Sequence, residues 1–223
     1  MNWLLTSLKM PMSNDQSLIF HGTLAAQNLT EENVYSGKLE RARLDVDFLR
    51  GRLMLRHRPR LLDLGTGTGT IINEVIASAA EITCVEKFPA FSQHIKNGKK
   101  VRIITENIRD FNSKNSYDLI SCFGVLHYFT REEVTKIYHR LFEMTELGGE
   151  IIVKNQFGVH EDVSVSGYSE KLGTDYFANY RSVDSEMKLL EEVGFQQVIK
   201  HDIYPEAFNQ WDNTHYYGLT ALR

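Results

Sequence analysis

Residues 61–69 read Leu-Leu-Asp-Leu-Gly-Thr-Gly-Thr-Gly, an apolar run that carries one acid, Asp63, and breaks into a loop holding Gly65, Gly67 and Gly69. Alternate glycines let the chain turn sharply and bring bare backbone against a ligand. The next residues, from Thr70 to Ile76, place apolar side chains at helical spacing. Strand, glycine turn and helix together form a nucleotide-type pocket at the carboxyl end of a parallel strand. Glu86 closes the next apolar run, where a carboxylate can accept two hydrogen bonds from a ribose. A dinucleotide fingerprint wants a third glycine at position 70, where this chain has Thr70. A pyrophosphate would also meet Asp63, and like charges a few ångströms apart repel.

The glycine stretch resembles the first motif of the class I S-adenosylmethionine-dependent methyltransferases, which has the form apolar-Asp-apolar-Gly-x-Gly-x-Gly. That cofactor carries a sulfonium and an ammonium and no phosphate, so a neighbouring carboxylate is compatible with it. The resemblance implies that Asp63, Gly65, Thr66, Gly67 and Gly69 surround S-adenosylmethionine and that Glu86 binds its ribose hydroxyls. Lys87 stands where the family usually has an apolar residue against the adenine, with Phe88 as a substitute. Asn107 and Ile108 follow the third strand where the family often has Asp and an apolar residue. An Asn amide oxygen can still accept from an adenine amino group. Cys122 and Phe123 end the fourth strand, where main-chain carbonyls hold the cofactor's ammonium. Arg41 and Arg43, on the preceding helix, are candidates for its carboxylate. A glycine turn of some other α/β protein, an oxidoreductase or a non-catalytic binding protein, is the alternative.

Methyl transfer from a sulfonium requires an aligned nucleophile, exclusion of water and sometimes removal of a proton. The segment Ser121-Cys122-Phe123-Gly124 has neither the Asn/Asp-Pro-Pro-Tyr/Phe run of base-amino methylating enzymes nor the Pro-Cys nucleophile of cytosine carbon-5 enzymes. Carboxylates do not converge after the fourth and fifth strands, which offer only Asn155, so no metal is expected. His127 follows the fourth strand and is the candidate general base; holding its loop is the other reading. Tyr128, Asn155, His160, Tyr176, His215 and Tyr216 are the candidates to meet an acceptor. Their aromatic character suits a small molecule with an apolar or cationic body, methylated on nitrogen or oxygen, though the same rings could pack a lid.

These residues need a scaffold, and 223 residues suffice for one α/β domain. Strands are expected from Arg60 and at 81–86, 101–105, 117–123, 150–154, 195–204 and 214–222. Helices are expected from Glu31 (with Leu39, Ala42, Val46, Leu49 and Leu53), after Thr70, between Pro89 and Gly98, after a Thr130/Glu133 capping box, and over 183–193. The alternation predicts a three-layer, doubly wound, mostly parallel seven-stranded sheet. The resemblance adds a terminal antiparallel hairpin. Residues 1–30 read as a flexible or lid segment, and 31–223 as a single methyltransferase domain with a loop-like insertion at 156–182 on the substrate side.

The net charge of −4 argues against a nucleic acid partner. Arg50, Arg52, Arg56, Arg58 and Arg60 cluster as a solvated helix end or, alternatively, as a docking face for a protein or RNA acceptor. Two cysteines without metal spacing, no basic apolar leader and no stretch of about 18 apolar residues predict a soluble cytoplasmic enzyme with no membrane contact. The acceptor's identity and the oligomeric state have no signature in the residues.

Overall fold

Four apolar runs build the parallel part of the sheet: β1 (Arg60–Leu64), β2 (Glu81–Val85), β3 (Val101–Ile104) and β4 (Tyr117–Phe123). The computed structural model describes residues 14–27, 38–170, 173–209 and 211–223. Leu61, Leu62, Ile82, Cys84, Leu119 and Ile120 are fully buried because helices cover both faces of the sheet. This explains runs that are continuously apolar and not alternating. β5 (Thr145–Gly158) continues the parallel set. Beyond it lie β9 (Thr214–Leu222), antiparallel to both neighbours, and β8 (Gln196–Asp202) at the edge. The order β3-β2-β1-β4-β5-β9-β8 is the expected seven-stranded arrangement with its terminal hairpin. Strand order reverses between β1 and β4, so a crevice opens at their carboxyl ends.

One face is covered by α2 (Lys38–Met54) and α3 (Ile72–Val75), whose Leu49, Leu53, Ile72 and Val75 pack on Leu61 and Ile82. On the other lie α5 (Arg131–Met144) and α6 (Val183–Val193). The capping box of α5 forms as expected: Thr130 Oγ1 accepts from Glu133 N–H at 3.2 Å, and Glu133 Oε2 accepts from Thr130 N–H at 2.8 Å. α4 (Pro89–Ser92) takes Pro89 in its first turn but ends well before Gly98. The helix after the glycine loop is also shorter than expected, four residues followed by a 3-10 turn over Ile76–Ser78. The helix expected from Glu31 is described from Lys38, and residues 31–37 lie outside the described part.

Residues 156–182, expected as a loop, are mostly strand. β5 runs on to Gly158, and β6 (Val163–Ser169) pairs antiparallel with β7 (Thr174–Tyr180) in a separate hairpin. The hairpin buries few side chains of β6, Val165 among them, so its sequence shows little apolar alternation. What holds it is α1 (Asn14–Ala26), whose Phe20 ring meets Tyr176 of β7 edge-on at 5.2 Å. Of the segment 1–30, residues 1–13 and 28–30 lie outside the described part, and the stretch between is mainly this helix.

The arginine cluster is not simply solvated. Arg52 and Arg56 both pair with Glu150, which is buried on β5. Arg60 donates to Asp118 at 3.1 Å and to Glu146 at 2.9 Å. Among the described residues no helix is long and apolar enough to cross a membrane.

Candidate active site

The crevice starts at the glycine loop. Gly65 N–H donates to Val85 O on β2 at 2.9 Å, and Gly65 takes φ +72°. A Cβ there would stand 2.8 Å from a Val125 methyl, so the loop turns only with glycine. Gly67, at φ +58°, has nothing within 4 Å of where its Cβ would be and lines the cavity with bare backbone. Glu86 braces this loop: Oε2 accepts from Gly67 N–H at 2.9 Å and Oε1 from Phe88 N–H at 2.8 Å. Burial raises its pKa, opposed by those two amides. Asp63 Oδ1 accepts from Ser121 Oγ at 2.5 Å. Burial pushes the Asp63 carboxyl up to about 6, the Ser121 hydroxyl works the other way, and the charge of Glu86 raises it further. Asn107 Oδ1 accepts from Arg109 N–H at 2.9 Å, and its Nδ2 donates to Asn14 Oδ1 at 3.1 Å. That second bond ties α1 to the end of β3.

Asp63, Gly65, Thr66, Gly67, Glu86, Lys87, Asn107, Ile108 and Phe123 all line one cavity, and Phe88 does too. From the other group His127, Tyr128, Tyr176 and Tyr216 line the same cavity, as does Arg41, whereas Arg43 is exposed. Besides Arg43, five candidates stand outside its lining. Gly69 packs against Ile95. Cys122 is fully buried in the core, where burial holds its thiol well above the usual range. His160 is exposed, its backbone N–H on Asn213 Oδ1. His215 faces away from Tyr216, since neighbouring strand positions point to opposite sides; its Nε2 lies 2.8 Å from Asp202 and its Nδ1 3.0 Å from Asn209. Asn155 places Oδ1 3.3 Å from His127 Nδ1. The same alternation brings Lys154 and Gln156 of β5 to the cavity, a parity the sequence reading left unused. Asp45 and the α1 residues Asn14, Ser17 and His21 also line it, and no local signal marks them.

Residues 61–149, which carry this loop and Glu86, match a family described as a methyltransferase domain. Over this stretch the chain is similar to methyltransferase domains. Among similar solved structures is DhpI in complex with SAH, at 12% identity over 93% of this chain and 95% of that one, with a TM-score of 0.73. Another is a Burkholderia thailandensis 1,6-didemethyltoxoflavin-N1-methyltransferase, at 14% identity over 97% and 93%, with a TM-score of 0.72. A third is the N-methyltransferase NodS from Bradyrhizobium japonicum WM9, at 15% identity over 84% and 97%, with a TM-score of 0.61. Such identities make these likenesses of fold. No curated protein matches the chain.

The donor set of this cavity fits S-adenosylmethionine. Two buried carboxyls, Asp63 and Glu86, whose ionisation burial opposes, are compensated by a ligand bearing positive charge. The open space over Gly67 leaves room for that ligand to lie on the loop. With only four residues, α3 offers little axial dipole to a phosphate.

The opposite end of the cavity differs. Lys154 Nζ lies 2.9 Å from Asp45 Oδ2, and the Tyr204 hydroxyl donates to Asp45 Oδ1 at 2.5 Å. Between the two ends sits a 3-10 turn, Leu126–Tyr128, that presents His127 and Tyr128. Arg181, at the end of β7, fixes this turn by donating to Leu126 O at 3.1 Å and Phe129 O at 3.1 Å, while Glu186 neutralises it at 2.6 Å. Tyr138 completes the buried network by donating to Glu186. Among the described residues no cluster of three or more His, Cys, Asp or Glu could hold a metal ion.

Proposed function

We propose that the protein transfers a methyl group from S-adenosylmethionine to a nitrogen or oxygen of a small molecule, inside the cavity that α1 and β7 roof. The observation that carries this reading is the continuity of one cavity from the acidic glycine loop to the ring-lined wall at β5 and β9. S-adenosylmethionine brings a methyl on a sulfonium whose thioether leaves without an acid. The chain's tasks are therefore to bind, align and dry the acceptor, and to take a proton where the nucleophile carries one.

In this reading Glu86 accepts from the ribose, Asn107 and Ile108 face the adenine with Phe88, and Asp63 with the glycine loop balances the cationic end. His127 serves as general base. The Asn155 side-chain amide, 3.3 Å from His127 Nδ1, orients the ring from behind. Tyr128, Tyr176 and Tyr216 frame the acceptor. Nitrogen methylation is the version favoured by two neighbours, which are described as N-methyltransferases. A protein or RNA acceptor gains little from the arginine cluster, because three of its five members, Arg52, Arg56 and Arg60, are engaged with Glu150, Asp118 and Glu146. Two free buried cysteines, Cys84 and Cys122, suit a reducing compartment such as the cytoplasm.

Calorimetry with S-adenosylmethionine and NAD side by side tests the cofactor, and micromolar NAD binding in place of S-adenosylmethionine binding would refute it. Labelled cofactor incubated with fractionated metabolite pools, with product mass as the readout, tests the acceptor class. Label appearing in protein or RNA alone would overturn the small-molecule reading.

A further inference from the structure

We propose that Gln156 selects the acceptor: its side-chain oxygen, Oε1, accepts a hydrogen bond from an N–H or O–H of an uncharged planar molecule bound against β5. The inference rests on the methyl-transfer reading and adds to it the group by which the acceptor is recognised. Gln156 is 3% exposed and lines the cavity. It stands two residues beyond Lys154, which lies opposite Phe123 at the end of β4, so β5 carries it roughly 7 Å past the end of that neighbour. In the sheet order β5 is three strand spacings from β2, roughly 14 Å, which sets Gln156 well apart from Glu86.

The direction of the Gln156 amide follows from its neighbours. Thr214 Oγ1 donates to Trp211 O at 2.6 Å, and a carbonyl oxygen only accepts. The hydroxyl has a single proton, so toward Gln156 it accepts, and Nε2 is the atom that meets it, at 2.6 Å. Turning the amide round would set two acceptors against each other. Oε1 therefore points away from Thr214. It has no hydrogen-bond partner among the described residues and is not one of the unpartnered atoms that the protein encloses, so it opens on the cavity. A molecule that closes on this wall takes the place of water at Oε1. It binds well only if it returns that hydrogen bond, because a buried carbonyl left unpaired costs more than one such bond contributes. Tyr216, opposite Gln156 in register on β9, and Trp211, whose carbonyl Thr214 holds, line the same cavity and supply flat faces. The Lys154 ammonium is neutralised by Asp45 at 2.9 Å, so directed hydrogen bonding takes the place of charge here. A ring N–H, a lactam or a phenol meets these conditions.

The test uses the full chain saturated with S-adenosylhomocysteine and two pairs of probes of nearly equal shape, one member with a donor and one without. These are indole with benzofuran, and phenol with fluorobenzene, with affinities measured by saturation-transfer NMR titration. In wild type the donor of each pair binds about tenfold more tightly than its partner. In Gln156→Leu the preference falls to about twofold or less, while the affinity for S-adenosylhomocysteine stays within about twofold of wild type. Gln156→Glu keeps an acceptor oxygen in place but gives up the N–H to Thr214, and it retains the preference for donors. Loss of the preference in Gln156→Glu as complete as in Gln156→Leu overturns the proposal, because Gln156 would then serve only to hold Thr214. Equal binding of both members of each pair to wild type, or no binding of either donor, overturns it too. So does a loss of S-adenosylhomocysteine affinity in Gln156→Leu as large as the loss for donors, because Gln156 would then serve the cofactor. Wild type that fails to bind S-adenosylhomocysteine at all sinks the methyl-transfer reading itself, a separate readout.

Discussion

Asp63 is a buried carboxyl whose ionisation works against folding. Its pKa of about 6 lies above the ordinary 3.8, so the native state holds the proton more tightly than the unfolded chain. The stabilisation is complete below about pH 4 and is lost as pH rises through about 6, on the order of 3 kcal/mol for a shift of about two units. Urea unfolding of the cofactor-free protein at pH 4, 5, 6 and 7 should show this decline, and Asp63→Asn should remove most of it. Parallel curves for the two proteins would show that Asp63 is not the titrating group. Glu86→Ala should weaken S-adenosylmethionine by about 1.5–3 kcal/mol, the range for hydrogen bonds to a charged group, as measured by calorimetry. Unchanged affinity would remove Glu86 from the site. His127→Ala should lower kcat by about 10²–10⁴-fold at saturating cofactor, the usual contribution of a positioned base, with cofactor affinity little changed. A variant of full activity would leave His127 a loop residue. These residues stand beside glycine or at strand ends, where sequence marks them. Asn155 and His215 were chosen on the same grounds, yet strand parity turns His215 away and sets Asn155 behind His127.

The elements most remote from the glycine motif decide how His127 is held. Arg181 comes from β7 and Glu186 from α6, and together they clamp the turn that carries it. Glu186→Gln leaves a buried guanidinium without its counter-charge, which should cost about 3–5 kcal/mol in urea unfolding. Amide exchange over 126–129 should quicken in the same variant, and a loss of stability with that turn still protected would separate the network from the site. β7 was not legible as a strand because its partner β6 is polar and its cover, α1, is supplied from more than 140 residues away in the chain. The strands β1 to β4 were legible because each is buried on both faces and so announces itself locally as an apolar run.

At the scale of the whole molecule, roof, loop and wall meet only in the folded chain, so a ligand that bridges them should stabilise it globally. S-adenosylhomocysteine at about a hundred times its Kd should add about 2.7 kcal/mol, which for a chain near 200 residues raises Tm by roughly 5–10 °C. NAD at the same concentration should leave Tm in place, and the reverse pattern would contradict the cofactor assignment. The sequence alone determined the seven-stranded sheet, its longer covering helices after residue 38 and the acidic glycine loop, because periodicity and a turn that admits only glycine are properties of neighbouring residues. Tertiary structure alone decided the end of the cavity at β5. Asp45, Lys154 and Tyr204 meet across more than a hundred residues of chain, and an ion pair between distant residues leaves no pattern in either local stretch.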